Sequence, residues 1–249
     1  MVHFSDDLYL GNMQALGSLK PTGGGNPTQE AGVGPMGRVA FHNVVPLTAS
    51  KTNIAASQHM TSGTALTMTA GTGVTAGTAP DGSNSRVMVL DTPRCVSLTS
   101  TANLSAINFT LTAFDQYGAK FTSTIAGPNA NTVNFPKAAV SVLSIVPGTT
   151  DGTNNVSAGT SDVFGLPYAV ADGNYVIPRW AGALGFDQGT LVTADATSPA
   201  TASTGDVRGT YAPSSPSNGT KRMTIWLHLT EAQCGATATL AGALGVTQA

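Results

Sequence analysis

The sequence predicts an all-β chain: an antiparallel β-sandwich or jelly-roll-like domain with an extended Gly/Pro-rich N-terminal arm. Three observations favour this fold class. Short segments in which apolar and polar residues alternate recur along the chain, as in strands with one buried face. Turns rich in Gly, Pro and Asn separate these segments. Thr is abundant whereas Glu occurs only as Glu30 and Glu231, which favours strands over helices.

The domain organisation follows from length and from a change in composition. We expect the arm over residues 1–45 and the β-sandwich domain over 46–249, with a core module at 86–146. The chain has 249 residues, of which 41% are apolar, enough for one large β domain with a real core.

The predicted arm begins with a short amphipathic piece and continues as a glycine-rich stretch. Residues 1–16 are interpreted either as one or two helical turns after an N-cap Ser5 or, as we favour, as an extended segment packing Phe4 and Tyr9 on a neighbour. Residues 17–37 are too rich in Gly and Pro for a helix or a central strand. They lack the Lys and Ser/Thr offsets of a phosphate-binding loop, so we expect an arm that becomes ordered against a partner subunit.

Between the arm and the core module, residues 38–47 predict a strand that ends at Pro46. His42 lies in this strand, and we interpret it as packed or hydrogen-bonded rather than as a metal ligand. Leu66 and Met68 alternate with Thr and predict another strand, followed by a loop over 71–77. That loop has neither the spacing nor the following helix of a dinucleotide-binding site.

The core module carries the clearest strand pattern. Residues 107–113 and 121–125 alternate apolar and polar side chains on either side of the turn Asp115-Gln116-Tyr117-Gly118, which predicts a β-hairpin. Further strands are predicted at 87–90, 95–100 and 138–146.

The C-terminal half is predicted to contain shorter elements. Residues 147–162 form a polar loop in which Asp151 offers a single carboxylate, so a turn is favoured over a calcium site. Residues 162–168 and 174–180 are interpreted as edge strands or as loops that bury aromatics. Residues 221–230 predict a strand with bulky side chains on both faces, hence covered on both sides, and residues 234–249 predict either a last strand or a tail on a neighbouring subunit.

Charge and motif content exclude several function classes. Charged residues are 10% of the chain, a weakly charged composition that suits a protein largely covered by neighbours. The net charge is −2 without a basic run, so we expect no nucleic-acid partner, and no apolar stretch approaches ~18 residues, so we expect no membrane span. Asp6 and Asp7 stand where a signal peptide would be cationic and then apolar, so we expect no export by the usual route.

No catalytic constellation is present in the sequence. A nucleophile elbow, a zinc-protease motif, a Cys-x-x-Cys pair and a Walker motif are all lacking. Cys95 and Cys234 are interpreted as free thiols, with Cys95 facing the core. We therefore predict that the protein is not an enzyme, and we assign no catalytic, cofactor-binding or metal-ligating residue and no cofactor.

Four segments carry a resemblance to a known group of proteins. They are Pro93-Arg94-Cys95-Val96, Asp115-Gln116-Tyr117-Gly118, Asp162-Val163-Phe164-Gly165-Leu166-Pro167-Tyr168 and Gly205-Asp206-Val207-Arg208-Gly209-Thr210-Tyr211. Over roughly residues 86–229 the chain resembles structural proteins of tailed bacteriophage virions. The resemblance implies a virion component on the capsid exterior, made in the host cytoplasm, and does not by itself separate head from tail.

Three functional hypotheses follow. The leading one is a capsid decoration (cement) protein that binds the major capsid protein lattice, stabilises the assembled shell and forms a homo-oligomer, with a trimer favoured. The alternative is a tail or head-fibre component that binds host-surface glycans through exposed aromatics, with Trp180, Tyr168 and Tyr175 as candidates. The third and least favoured is a glycan hydrolase on a β scaffold.

Overall fold

The structure is a computed structural model that describes residues 21–22, 26–27, 38–171, 173, 176–183, 185–229 and 243–248. Within these residues the fold is all-β and sandwich-like, with curled antiparallel sheets, which confirms the predicted class. Most of the predicted arm lies outside the described residues. Its end, Arg38–Val44, is a strand of a three-stranded sheet.

Fourteen strands are described. They are β1 (Pro21–Thr22), β2 (Asn26–Pro27), β3 (Arg38–Val44), β4 (Ala55–His59), β5 (Val74–Thr78), β6 (Arg86–Thr99), β7 (Asn108–Phe114), β8 (Lys120–Ala126), β9 (Thr132–Pro147), β10 (Asn155–Gly165), β11 (Val176–Trp180), β12 (Thr190–Val192), β13 (Thr210–Ala212) and β14 (Met223–Leu229).

These strands form three antiparallel sheets. The largest has nine strands in the order β12-β13-β10-β6-β9-β7-β8, with β4 added to β10 and β5 added to β6. A second sheet has the order β11-β14-β3, and β1 and β2 pair only with each other. The long central strands β6 and β9 shift register twice along their pairing, and such bulges bend a sheet and increase its twist.

The predicted hairpin is confirmed as β7 and β8, which pair from Asn108 opposite Ala126 to Phe114 opposite Lys120. Gly118 closes the turn with a backbone bond of 3.0 Å to Asp115 and a φ of +79°, a conformation that favours glycine. The strand predicted at 138–146 is the second half of β9. The two strands predicted at 87–90 and 95–100 are one continuous strand, β6, which passes through Pro93.

Several other predicted segments are corrected. Residues 61–73 contain no strand; Leu66 is nonetheless buried, and its backbone N–H bonds to Ile145 at 2.9 Å. The loop predicted at 71–77 includes most of β5, and the polar loop predicted at 147–162 ends at β10, which begins at Asn155. Of the predicted C-terminal tail, only residues 243–248 are described.

The core lies in two main clusters. The larger fills the nine-stranded sheet around Phe109, Leu111 and Phe121, each at most 1% exposed. The second packs beneath the β11-β14-β3 sheet and includes Trp180 and Ile225. Cys95 is buried with a free thiol, as predicted, and burial raises its pKa.

Residues 50–53 pack against β10 through a close backbone contact. Thr160 N–H donates to Ser50 O at 2.9 Å. A Cβ built on Gly159 would lie 1.8 Å from the same oxygen, so only glycine fits at that position. Asn53 reinforces the contact, since its side-chain oxygen accepts from Thr160 N at 3.0 Å.

Candidate functional site

Residues of two of the sequence motifs, 115–118 and 205–211, meet in one cluster, which we call the motif cluster: Asp115, Gln116, Tyr117, Asp206 and Arg208. Asp115, Asp206 and Arg208 are buried, whereas Tyr117 is 50% exposed. Arg208 Nη2 donates to Asp115 Oδ2 at 2.7 Å, and the two side chains are 6% and 2% exposed. The Arg208 guanidinium lies 5.2 Å from the centroid of the Tyr117 ring. The pair joins residues 93 positions apart in the chain.

Asp206 is bonded within the cluster to backbone donors. Its Oδ2 accepts from Ala138 N–H and its Oδ1 from Arg208 N–H, both at 2.9 Å. Burial raises the pKa of this carboxyl above its ordinary value, although the Arg208 charge and the two backbone bonds oppose the shift. The side chain therefore connects the 205–211 segment to β9.

The other two residues of the cluster bind the segment 162–168. Gln116 Nε2 donates to Leu166 O at 2.9 Å, and Tyr117 Oη donates to Pro167 O at 2.6 Å. Each polar side chain of the hairpin turn thus bonds to another segment of the chain. These bonds fix three distant segments to one another.

The first motif is structural as well. Arg94 is 1% exposed, and its Nη2 donates to Leu47 O at 3.1 Å and to Asp91 Oδ2 at 3.2 Å. Its guanidinium lies 4.9 Å from the centroid of the Phe164 ring. Burial lowers the pKa of Arg94, and the negative charge of Asp91 partly offsets this shift. These contacts hold the chain after β3 against the nine-stranded sheet.

A third polar group surrounds Asp187. Tyr211 Oη donates to Asp187 Oδ2 at 2.6 Å, Ser214 N–H donates to the same oxygen at 2.9 Å, and Ser214 Oγ donates to Oδ1. Burial raises the pKa of Asp187, but the bonds from Ser214 and Tyr211 outweigh it and hold that pKa below its ordinary value. Tyr211 belongs to the last of the four motif segments, so the side chain of this motif residue is also hydrogen-bonded within the protein.

One cavity of about 250 Å³ lies beside β10. Its lining offers hydroxyl and amide groups and one cation: Ala49, Ser50, Lys51, Ser97, Thr132, Asn134, Thr160 and Ser161. These lining residues include no carboxylate, imidazole or thiol, so they supply no acid–base pair.

Metal ligation finds no support in the part of the chain that the structure describes. No group of three or more His, Cys, Asp or Glu there is placed to hold an ion. The Asp151 side chain accepts hydrogen bonds within its own turn. Its Oδ1 accepts from Thr153 N–H and Asn154 N–H, and its Oδ2 accepts from Asn154 Nδ2 at 2.7 Å. His42 is partly buried opposite Ile225, and burial lowers its pKa.

The outward side of the β11-β14-β3 sheet is a different kind of surface, which we call the aromatic face: Phe41, Asn43, Ile177, Arg179, Thr224 and Trp226. Phe41 and Trp226 pair across strands with ring centroids 6.0 Å apart. They are 59% and 37% exposed. Arg179 Cζ lies 5.5 Å from the Trp226 centroid.

The aromatic face differs from what the sequence predicted in two ways. The prediction that this strand is covered on both sides holds for the Met223 and Ile225 side, whereas Trp226 on the other side remains partly exposed. Among the predicted glycan-binding aromatics, Trp180 is 4% exposed and donates to Ser215 Oγ at 2.9 Å, so it is a core residue. Tyr168 is half-buried, and Tyr175 lies outside the described residues.

Comparison of the chain with protein-family models, curated proteins and solved structures finds no match. Among the described residues, no helix has the length and apolar character needed to cross a membrane.

Proposed function

We propose that the protein is a virion structural protein of the capsid decoration type, which binds the major capsid protein lattice of a tailed phage and stabilises the assembled shell. The observation that carries the proposal is the motif cluster. The residues on which the resemblance to phage structural proteins rests bond to distant segments of the same chain, as expected for a protein whose function depends on its shape.

The surface supports the same proposal. Only 10% of the residues are charged, and the aromatic face combines Trp226, Phe41 and Arg179, residue types that are enriched in the cores of protein interfaces. A protein that binds the assembled shell and not its dissociated subunits stabilises the shell by mass action, by about 2.7 kcal/mol per site at a free concentration of 100 times the Kd.

The arm is the proposed contact to the lattice. Deletion of residues 1–37 removes the Gly/Pro-rich stretch with β1 and β2 but retains every strand of the nine-stranded and three-stranded sheets, so we expect a folded protein that no longer coats capsids. Binding is measured by co-sedimentation with purified capsids and folding by circular dichroism. Full coating by the truncated protein would contradict the proposed role of the arm.

A tail or head-fibre component that binds host glycans is the second candidate. The observation in its favour is the exposed Trp226 and Phe41 pair beside Arg179, since an aromatic ring flanked by hydrogen-bond donors suits a sugar ring. Binding of the isolated full-length chain to a glycan array, lost in Trp226→Ala, would favour this candidate. Immunolabelling of virions then distinguishes a head position from a tail position.

A further inference from the structure

The cavity beside β10 contains a buried hydroxyl that the fold does not use. Ser97 lines this cavity and is 2% exposed, and its Oγ is buried without a hydrogen-bond partner among the described residues. Buried polar side chains are normally paired, so this hydroxyl is available to a ligand. The cavity volume of about 250 Å³ has room for several water molecules or for one small polar ligand.

The strand register places Ser97 between two neighbours on one face of the nine-stranded sheet. Ser97 in β6 lies opposite Asn134 in β9 and opposite Gly159 in β10, and opposed residues of a sheet point to the same side. Backbone fills the place of the side chain that Gly159 lacks, since a Cβ built there would lie 2.8 Å from Lys51 Cα. Asn134 and Lys51 therefore flank Ser97, which forms the floor of the cavity.

The two flanking side chains leave a path from solvent to this floor. Lys51 and Asn134 are exposed, and neither side chain forms a hydrogen bond or an ion pair with a described residue, so both can rotate aside. Among the described residues that line the cavity, only Lys51 is ionisable. Asp162, also in β10, is engaged elsewhere, because its Oδ1 accepts from Ser217 Oγ at 2.5 Å. The charge at the cavity is therefore positive.

A second hydroxyl in the lining has a hydrogen to donate. Thr160 Oγ1 accepts from Ser50 N–H at 3.2 Å and from Asn53 Nδ2 at 3.0 Å, while its own hydrogen has no acceptor among the described residues. Ser161 differs, since its Oγ already donates to Cys95 O at 2.8 Å. The cavity thus offers one cation, two hydroxyl donors and an amide without a carboxylate, a donor set that suits an oxyanion.

We propose that this cavity binds a small oxyanion, a carboxylate or a phosphate, through four side chains: Lys51, Ser97, Asn134 and Thr160. The ammonium group attracts the anion, and the hydroxyls and the amide orient it. The close packing of backbone at Gly159 fixes Lys51 Cα before the ligand arrives, which lowers the cost of binding. The site goes beyond the proposed function and does not depend on it, because binding is measured on the isolated protein without capsids.

A nuclear magnetic resonance titration of the full-length protein tests the site. Sodium phosphate and sodium acetate are added in separate experiments at constant ionic strength, with chloride as the balancing anion. We expect saturable shifts of the backbone amides around residues 50–51, 97 and 134, with a Kd of about 0.1–10 mM. The anion that binds more tightly identifies the ligand class as phosphate or carboxylate.

Two variants and a control locate the binding. Lys51→Gln removes the charge and is expected to weaken binding at least about tenfold. Ser97→Ala is expected to weaken binding about threefold or more, yet to leave the urea midpoint of the ligand-free protein unchanged or higher, because no bond within the fold is lost. Arg86→Gln removes an exposed charge roughly 35 Å from Ser97 along β6 and should bind as wild type does.

Three results would overturn the proposal. The first is the absence of saturable shifts with both anions, and the second is equal affinity of wild type and Lys51→Gln. The third is a lower urea midpoint of ligand-free Ser97→Ala, which would show that the hydroxyl is bonded within the fold. Glucose is the neutral probe in a parallel titration, and saturable glucose binding without anion binding would assign the cavity to a different ligand class.

Discussion

Replacement of Arg208 by methionine tests whether the motif cluster holds the fold together. Met keeps most of the aliphatic volume of the arginine and removes its charge and donors. Asp115 Oδ1 would still accept from Tyr117 N–H and Ala119 N–H, each at 2.9 Å. Asp115 Oδ2, however, would lose its 2.7 Å partner and remain a buried, unpaired carboxylate oxygen.

The expected loss of stability is large because a charge is left without a partner in the interior. Breaking a buried ion pair by removing one member costs about 3–5 kcal/mol. The double variant Asp115→Asn/Arg208→Met removes both charges of the pair, and its amide oxygen still accepts both turn N–H groups. Asp206 loses the nearby Arg208 charge in the single and the double variant alike. We therefore expect it to be more stable than Arg208→Met, with a coupling of about 2–3 kcal/mol in the double-mutant cycle.

The assay is urea unfolding of the full-length variants, followed by tryptophan fluorescence and far-ultraviolet circular dichroism. Lys120→Met is the matched control, because its pair with Asp81 spans 3.9 Å with side chains 51% and 29% exposed. An exposed pair of this kind contributes about 0–1 kcal/mol. A loss for Arg208→Met no larger than that of the control would refute the view that the motif cluster joins the segments.

Two further predictions concern packing and pH. Gly159→Ala should destabilise the fold by at least about 1–3 kcal/mol in the same urea assay, since the new Cβ would overlap a backbone oxygen. Gly185→Ala is its control: nothing lies within 4 Å of the new Cβ, so stability should change by less than about 0.5 kcal/mol. Asp187 has a lowered pKa in the folded state, so its stabilising bonds are fully present above the unfolded pKa near 3.9 and are lost as pH falls through the lower folded value. The stability difference between wild type and Asp187→Asn should thus stay constant from pH 7 to 5 and shrink below about pH 4; a difference that does not change down to pH 3 would contradict this assignment.

The elements that the sequence predicts well are those with local signals. The β7–β8 hairpin combines period-two alternation with a turn whose Asp and Gly occupy the expected positions, and β14 alternates over its full length. Pro93 marks the opposite case. A proline inside an apolar run indicates a strand end, yet β6 continues through Pro93. The pairing register of β6 with β9 shifts between Val89 and Arg94, so the regular hydrogen-bond pattern is interrupted where the proline lacks an N–H.

The contacts of the motif cluster join positions that are far apart in the sequence. Nothing local to Asp115 predicts that Arg208 is its partner, because the pairing is set by how β10 and β13 lie beside the hairpin. The same holds for the tryptophans. Trp180 and Trp226 both lie in short apolar strands, and only the pairing of β11 with β14 places Trp180 on the core side and Trp226 on the outer side.

The distribution of charge provides a further argument for a protein that functions among neighbours. The chain has only 11 Lys and Arg residues, and among those whose burial the structure describes, three are buried: Arg94, Lys137 and Arg208 at 1%, 0% and 5% exposure. Asp115 and Asp206 are buried as well, each 4% exposed. The surface is therefore even less charged than the composition indicates, while the charges that remain inside serve the fold. Such a surface gives an isolated molecule little electrostatic protection against association, a property that fits the proposed function, in which neighbouring molecules cover the surface.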